Sequence, residues 1–141
     1  MFSAEDRYNL EHIFANNFQS SAFPILADLY YNNKEYKRAK KVCQIGLQHN
    51  PKSILGQFVL SKLYLINDKK EKAEKILKTI IVLDKCNIVA LLKLIDIQIA
   101  LNRSDETLKK HINQAHLLMP SNTKIIKLYK KYFQHIKVDR K

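Results

Sequence analysis

The sequence predicts an all-α protein, an α-solenoid of antiparallel helix pairs, and three observations predict it. The composition favours helix: Leu, Ile, Ala, Lys and Glu are frequent, and 141 residues contain only two Gly and three Pro. Apolar residues recur at three- and four-residue spacing, as in Phe23, Leu26/Ala27, Tyr30 and again in Ala39, Val42/Cys43, Gly46/Leu47, which is the period of an amphipathic helix. The same residue types return every 34 positions: Leu26, Leu60 and Leu94; Tyr30 and Tyr64; Ala39 and Ala73. A repeat of that length reads as stacked helical hairpins, each too small to bury its own apolar face.

The length is that of one ordinary domain, and a hydrophobic fraction of 46% suffices for a continuous core. We expect a single domain over residues 1–141: an N-terminal helix in 3–19, repeats in 20–53, 54–87 and 88–121 (the third degenerate), and a C-terminal capping helix in 122–138. In the first segment Ser3 with Asp6 three residues on forms a capping-box start. Leu10, Ile13, Phe14 and Phe18 make its apolar side. Pro24 falls in the first turn of the next helix if Ser20 or Ser21 is the N-cap, and there its missing N–H costs little. Between the two helices of each repeat lies a polar turn: Asn32-Asn33-Lys34-Glu35, Asn67-Asp68-Lys69-Lys70 and Asn102-Arg103-Ser104-Asp105. Asn and Asp accept the left-handed conformation such turns use. Pro51 and Pro120 separate one pair from the next. Ala27, Ser61, Ala39 and Ala73 are small enough to let facing helices approach closely.

These positions resemble the tetratricopeptide repeat, whose pattern runs large apolar, Leu, small, Tyr, then Ala, aromatic or Leu, Ala, and a closing Pro. The first repeat matches in Phe23, Leu26, Ala27, Tyr30, Ala39, Gly46 and Pro51, with Cys43 in place of the aromatic. The second keeps Leu60, Ser61, Tyr64 and Ala73 but has Gln57 at the large apolar slot and Lys85 at the Pro slot. The third keeps Leu94, has Ile95 and Gln98 at the small and Tyr slots, and brings Leu108, Ile112, Ala115 and Pro120 into line after one inserted residue in 102–106. The likeness covers Ser20–Ser121.

The resemblance implies that the first helices of successive repeats line a concave groove in which a partner lies. The matching positions are Pro24, Asp28, Tyr31 and Asn32; Phe58, Lys62, Leu65 and Ile66; and Leu92, Asp96, Ile99 and Ala100. Of these we take Asp28, Tyr31, Asn32, Phe58, Lys62, Leu65, Leu92, Asp96 and Ile99 as partner-binding candidates. Asp28, Lys62 and Asp96 form a row of alternating charge with 34-residue spacing. Asp28 and Asp96 would repel the acidic C-terminus that some tetratricopeptide co-chaperones grip. An amphipathic or extended apolar peptide with few charges fits better. The plain alternative for Phe58, Leu65, Leu92 and Ile99 is core between repeats.

Catalysis is not expected. There is no Gly-rich phosphate loop and no nucleophile motif. His111 and His116 lack the i, i+4 spacing of a metal pair. Each of His12, His49, His111, His116 and His135 reads as a surface or helix-end residue. Cys43 and Cys86 make no CxxC pair and read as reduced structural thiols. No catalytic, cofactor-binding or metal-ligating residue is assigned, and no cofactor is implied.

The net charge of +12 comes from 25 Lys and Arg against 13 Asp and Glu. Arg is confined to Arg7, Arg38, Arg103 and Arg140, although Arg is the residue that reads phosphate bidentately. The surplus Lys therefore suits solvated faces. The basic segment 34–41 reads as such a face, with an acidic partner or RNA as its sharper reading. The last helix, Thr123–Val138, carries Ile125, Leu128/Tyr129, Tyr132/Phe133 and Ile136 on one side and Lys124, Lys127, Lys130, Lys131 and Lys137 on the other. It reads as a cap; Tyr129, Tyr132 and Phe133, if exposed, would instead make a docking patch, a dimer interface or a single-stranded nucleic-acid surface.

Residues 1–6 lack the regions of a signal peptide, and no apolar run approaches the ~18 residues of a membrane helix. A cytoplasmic protein without a membrane partner is expected. The reading is a non-enzymatic protein-interaction adaptor or scaffold. The alternative is a helical-repeat RNA-binding protein using its Lys-rich surface, and a third reading is self-association through the open ends of the repeat array.

Overall fold

The structure, a computed structural model, describes the backbone of residues 3–138 and the side chains of residues 3–133. His135, Ile136, Lys137 and Arg140 lie outside the described side chains. The described residues form eight helices and no strand: α1 (Ala4–Asn16), α2 (Phe23–Asn32), α3 (Tyr36–His49), α4 (Ile54–Ile66), α5 (Lys70–Leu83), α6 (Ile88–Ala100), α7 (Asp105–Leu118) and α8 (Thr123–Val138). None of them is long and apolar enough to cross a membrane. The helices gather into two compact units, α1–α5 and α6–α8.

In the first unit α1 packs on α2, α2 on α3 and α4, α3 on α4, and α4 on α5. Its core contains Phe23, Leu26, Leu29, Tyr30, Val42, Cys43, Val59 and Leu63. Ala27, Ala39, Ser61 and Ala73 are completely buried, as expected of residues chosen for close helix approach. The two glycines share one task. A Cβ on Gly46 would stand 2.3 Å from the Phe23 ring, and one on Gly56 would stand 2.4 Å from it. The ring therefore fits only because both positions lack a side chain.

α1 opens with the Ser3–Asp6 capping box: each side chain accepts from the other residue's backbone N–H. Both hydrogen bonds from Ser3 hold the Asp6 carboxyl below its usual range, the backbone one foremost. The apolar side of α1 is narrower than its sequence pattern. Phe14 is buried and Leu10 packs on the core, but Ile13 and Phe18 are exposed. A second tie is polar. Arg7 donates to both Glu35 oxygens at 2.8 and 2.9 Å and to Glu11 at 2.8 Å, with its guanidinium 5.2 Å from the Tyr30 ring centre.

α2 differs from expectation at its start. Its N-cap is Ala22 and not Ser20 or Ser21. Ser20 is used one step earlier, its Oγ accepting from the Ala22 N–H at 3.2 Å. Pro24 does sit in the first turn, where it removes one of the N–H groups a cap would have had to satisfy. Four later helices have conventional caps: Ser53, Asn87, Ser104 and Asn122 each accept from the backbone N–H three residues on.

The turns within helix pairs share one geometry. Lys34, Asp68 and Asn102 have φ of 62°, 55° and 54°, and each lies 34 residues from the next. The following residue donates back to the carbonyl of Tyr30, Tyr64 or Gln98, at 2.8, 2.9 and 3.0 Å. This is the helix-ending bond that a left-handed residue permits. Asp68 and Asn102 are residue types that suit it; in the first turn Lys34 adopts it instead of Asn32 or Asn33. The inserted residue of the third repeat is visible here too: α7 starts one position later than the period from α3 and α5 would place it, and Ser104 in that extra position caps α7.

In the second unit α7 packs on both α6 and α8. Leu91, Leu94, Ile95, Ile112, Ala115 and Ile125 are completely buried. Gln98 is buried with them, and so is His111, which corrects the expectation of a surface histidine. His111 Nδ1 and Gln98 Oε1 lie 2.8 Å apart, so the polar group is inside because a partner on the facing helix meets it.

Candidate partner-binding surface

On the first unit, α2 and α4 bring four of the candidate residues together. Asp28 and Lys62, one repeat apart, form an ion pair with Nζ 2.7 Å from Oδ1. The same ammonium lies 4.4 Å from the Tyr31 ring centre and 5.9 Å from that of Phe58. A carboxylate and an aromatic face thus hold the cation from two sides, each arrangement favourable for a half-buried ammonium. The Tyr31 ring meets that of Tyr36 edge to face at 5.6 Å. Asn32 is exposed at the end of α2, while Phe58 and Leu65 are half-buried.

On the second unit, Leu92, Asp96 and Ile99 occur along α6 at helical spacing, Leu92 and Ile99 half-buried and Asp96 exposed. Asp96 pairs with Lys124 of α8 at 2.8 Å. The charges of the alternating row are therefore not free: Lys62 and Asp28 neutralise each other, and Asp96 has its own lysine. The sequence pattern revealed the row but not these pairings.

A different part of the first unit carries unneutralised charge. A depression of about 690 Å³ opens between the start of α3 and the end of α4, lined by Lys34, Glu35, Tyr36, Lys37, Arg38, Lys40, Leu63 and Asn67. On α8, Tyr129 stacks between His116 of α7, at 4.1 Å, and Phe133, at 4.6 Å. Lys109 lies 5.9 Å from the Phe133 ring centre and Lys131 5.6 Å from that of Tyr132.

No group of three or more metal-ligating side chains gathers among the described residues. Both cysteines are free thiols, Cys43 buried and Cys86 exposed, so only the first is structural in the sense expected. Burial pushes the Cys43 thiol up to about 12, and its Sγ faces the Gly56 carbonyl at 3.8 Å. A protonated, enclosed thiol is not a nucleophile.

No family model matches the chain, and neither does any curated protein sequence. Solved structures do. A crystal structure of MamA matches 97% of this chain and 86% of its own with a TM-score of 0.77 at 11% identity. The second TPR domain of human RPAP3, in complex with an HSP70 peptide, matches 81% of this chain and 94% of its own with a TM-score of 0.66 at 21% identity. The Yersinia enterocolitica type III secretion chaperone SycD, in complex with a peptide of the translocator YopD, matches 84% of this chain and 92% of its own with a TM-score of 0.63 at 14% identity. Similarity at these identities speaks to fold, and it agrees with the helix pairs, turns and small-residue contacts above: the chain is an all-α helical-repeat protein with the tetratricopeptide fold.

Proposed function

We propose that this protein is a non-enzymatic adaptor or scaffold that binds a peptide or helical segment of a partner protein against the first helices of its repeats. The observation that carries this reading is the cluster of Asp28, Tyr31, Phe58 and Lys62. Its ion pair and ring contacts hold these side chains in place before any ligand arrives, which lowers the ordering cost of binding. Structures of the same fold whose names record bound peptides, from HSP70 and YopD, support the choice of a peptide partner.

In this reading residues 1–141 act as one domain in the cytoplasm, and the contact residues are Asp28, Tyr31 and Asn32 of α2, Phe58, Lys62 and Leu65 of α4, and Leu92, Asp96 and Ile99 of α6. The half-buried apolar members would receive apolar side chains of the partner, and the paired charges would accept a few polar contacts at the rim. An acidic tail is the wrong ligand for this face. It would have to displace Asp28 from Lys62, an exchange of one carboxylate for another with no net gain.

The test is a pull-down with wild type beside a Phe58→Glu/Leu92→Glu variant, each with and without nuclease, after circular dichroism has established that the variant is folded. The expected result is a protein captured by wild type, lost by the variant and indifferent to nuclease. Equal recovery of nucleic acid by both, with nuclease removing every co-purifying protein, would overturn the reading in favour of RNA binding.

A further inference from the structure

We propose a second docking site on the first unit: the basic depression between the start of α3 and the end of α4 receives an acidic segment of a protein partner. This goes beyond the face of the first helices, because it uses different residues and takes an acidic segment where that face takes apolar side chains.

Among the described residues, Lys34, Lys37 and Lys40 line this depression without any carboxylate in ion-pair distance. The one acid on its wall is Glu35, and Arg7 occupies both of its oxygens at 2.8 and 2.9 Å, with Arg38 at 3.4 Å from one. Lys62 and Lys124, by contrast, are each matched by an aspartate. Three unpaired ammonium groups thus line one concavity, where field lines focus. The start of α3 adds to it. Glu35 is the N-cap but its side chain makes no capping bond, since the carboxylate is drawn away to Arg7. The first N–H groups of a 14-residue helix therefore keep their partial positive charge at the same place.

The surroundings favour carboxylates over a nucleic acid. Base stacking needs an open aromatic face. The Tyr36 ring is engaged by Tyr31 at 5.6 Å, and the neighbouring Tyr64 ring has Lys40 at 5.8 Å and Lys72 at 5.6 Å. The only guanidinium on the wall, Arg38, is already turned to Glu35, so bidentate phosphate reading is weak there. What remains is three ammonium groups without a carboxylate partner and the Asn67 amide. These suit separated carboxylates on a short peptide, with the amide available to its backbone.

The experiment measures binding of a short fluorescein-labelled peptide rich in Glu and Asp to the purified full chain at near-physiological salt. Three forms are compared: wild type, Lys34→Glu/Lys37→Glu/Lys40→Glu, and a control of identical net charge on the same unit, Lys52→Glu/Lys75→Glu/Lys78→Glu. We expect the depression variant to weaken binding about tenfold or more and the control to stay within about twofold. If the reversal variant loses its helical circular dichroism, Lys34→Gln/Lys37→Gln/Lys40→Gln takes its place. Equal loss in both triple variants would mean generic attraction to a basic protein and overturn the proposal. Tighter binding of a labelled single-stranded RNA, dependent on the same three lysines, would also overturn it. Phe58→Glu should leave the peptide affinity unchanged, so failure of the first-helix reading and failure of this one give different results.

Discussion

The α2/α3 pair and the α6/α7 pair close the same kind of turn around different centres. In the first, the Phe23 ring lies where Gly46 and Gly56 leave room for it, and Tyr30 is buried beside the turn. In the second, the positions that correspond to Phe23 and Gly46 hold Leu91 and Ala115, both completely buried. A smaller side chain on one helix is matched by a larger one on the other. The position that corresponds to Tyr30 holds Gln98, also buried, which meets His111 at 2.8 Å and leaves its Nε2 without a partner. Main-chain bonds hold both turns alike, at 2.8 and 3.0 Å. The hairpin therefore tolerates an aromatic or a polar centre, and the difference appears in what each centre costs to alter.

The largest effect should come from removing the aromatic centre. Phe23→Ala should destabilise the protein by about 3–5 kcal/mol, read from urea unfolding. Gly46→Ala should cost about 1–3 kcal/mol through overpacking, since its methyl has no room against the ring. The comparison sharpens if Phe23→Leu is added to Gly46→Ala, which copies the second unit's pair. The double variant should be more stable than Gly46→Ala alone, and additive losses would show that the volume exchange is not real.

In the polar centre, Gln98→Leu and His111→Leu should each cost about 1–3 kcal/mol by stranding the other's polar atom. Together they should cost clearly less than the sum, and a double-mutant cycle of zero would break the account of this pair.

The turns differ by less. Lys34 carries a Cβ in the left-handed region where its counterparts are Asp68 and Asn102. Lys34→Asn should stabilise by up to about 1 kcal/mol, measured as a raised unfolding midpoint. The smallest effect at neutral pH is that of Cys43. Its pKa is raised from 9.0 to about 12 by burial, so the unfolded thiol ionises first and the thiol's contribution to stability is lost as pH rises from 9.0 towards 12, not below. At pH near 8 a thiol reagent should label Cys86 alone in the native protein and both cysteines in denaturant.

Much of this was legible in the residues. The 34-residue return of Leu, Tyr and Ala located the helix pairs, Ser3 and Asp6 announced the first cap, and Asn102–Glu106 was the place of the inserted residue. These signals are local: a cap needs atoms three residues away, and a helix face needs neighbours within two turns. His111 was misread because its spacing to His116 says nothing about Gln98 on the facing helix. Lys34 was missed as the left-handed residue because Asn32 and Asn33, better suited by type, stand beside it. The period decided the position against local preference. For the candidate surface, the residues were named from the resemblance to the tetratricopeptide pattern, while the occupancy of their charges could not be read from the sequence.

The sequence by itself determined the helix pairs, their turns and the small residues at their contacts, because periodicity and chain-local hydrogen bonding act over a few residues. Only the tertiary structure decided which charges cancel. Asp28 meets Lys62, Asp96 meets Lys124 and Glu35 meets Arg7 across 34, 28 and 28 residues of chain. Coulomb attraction depends on separation in space, and packing alone sets that separation for side chains on different helices. The same packing leaves Lys34, Lys37 and Lys40 unmatched around one depression.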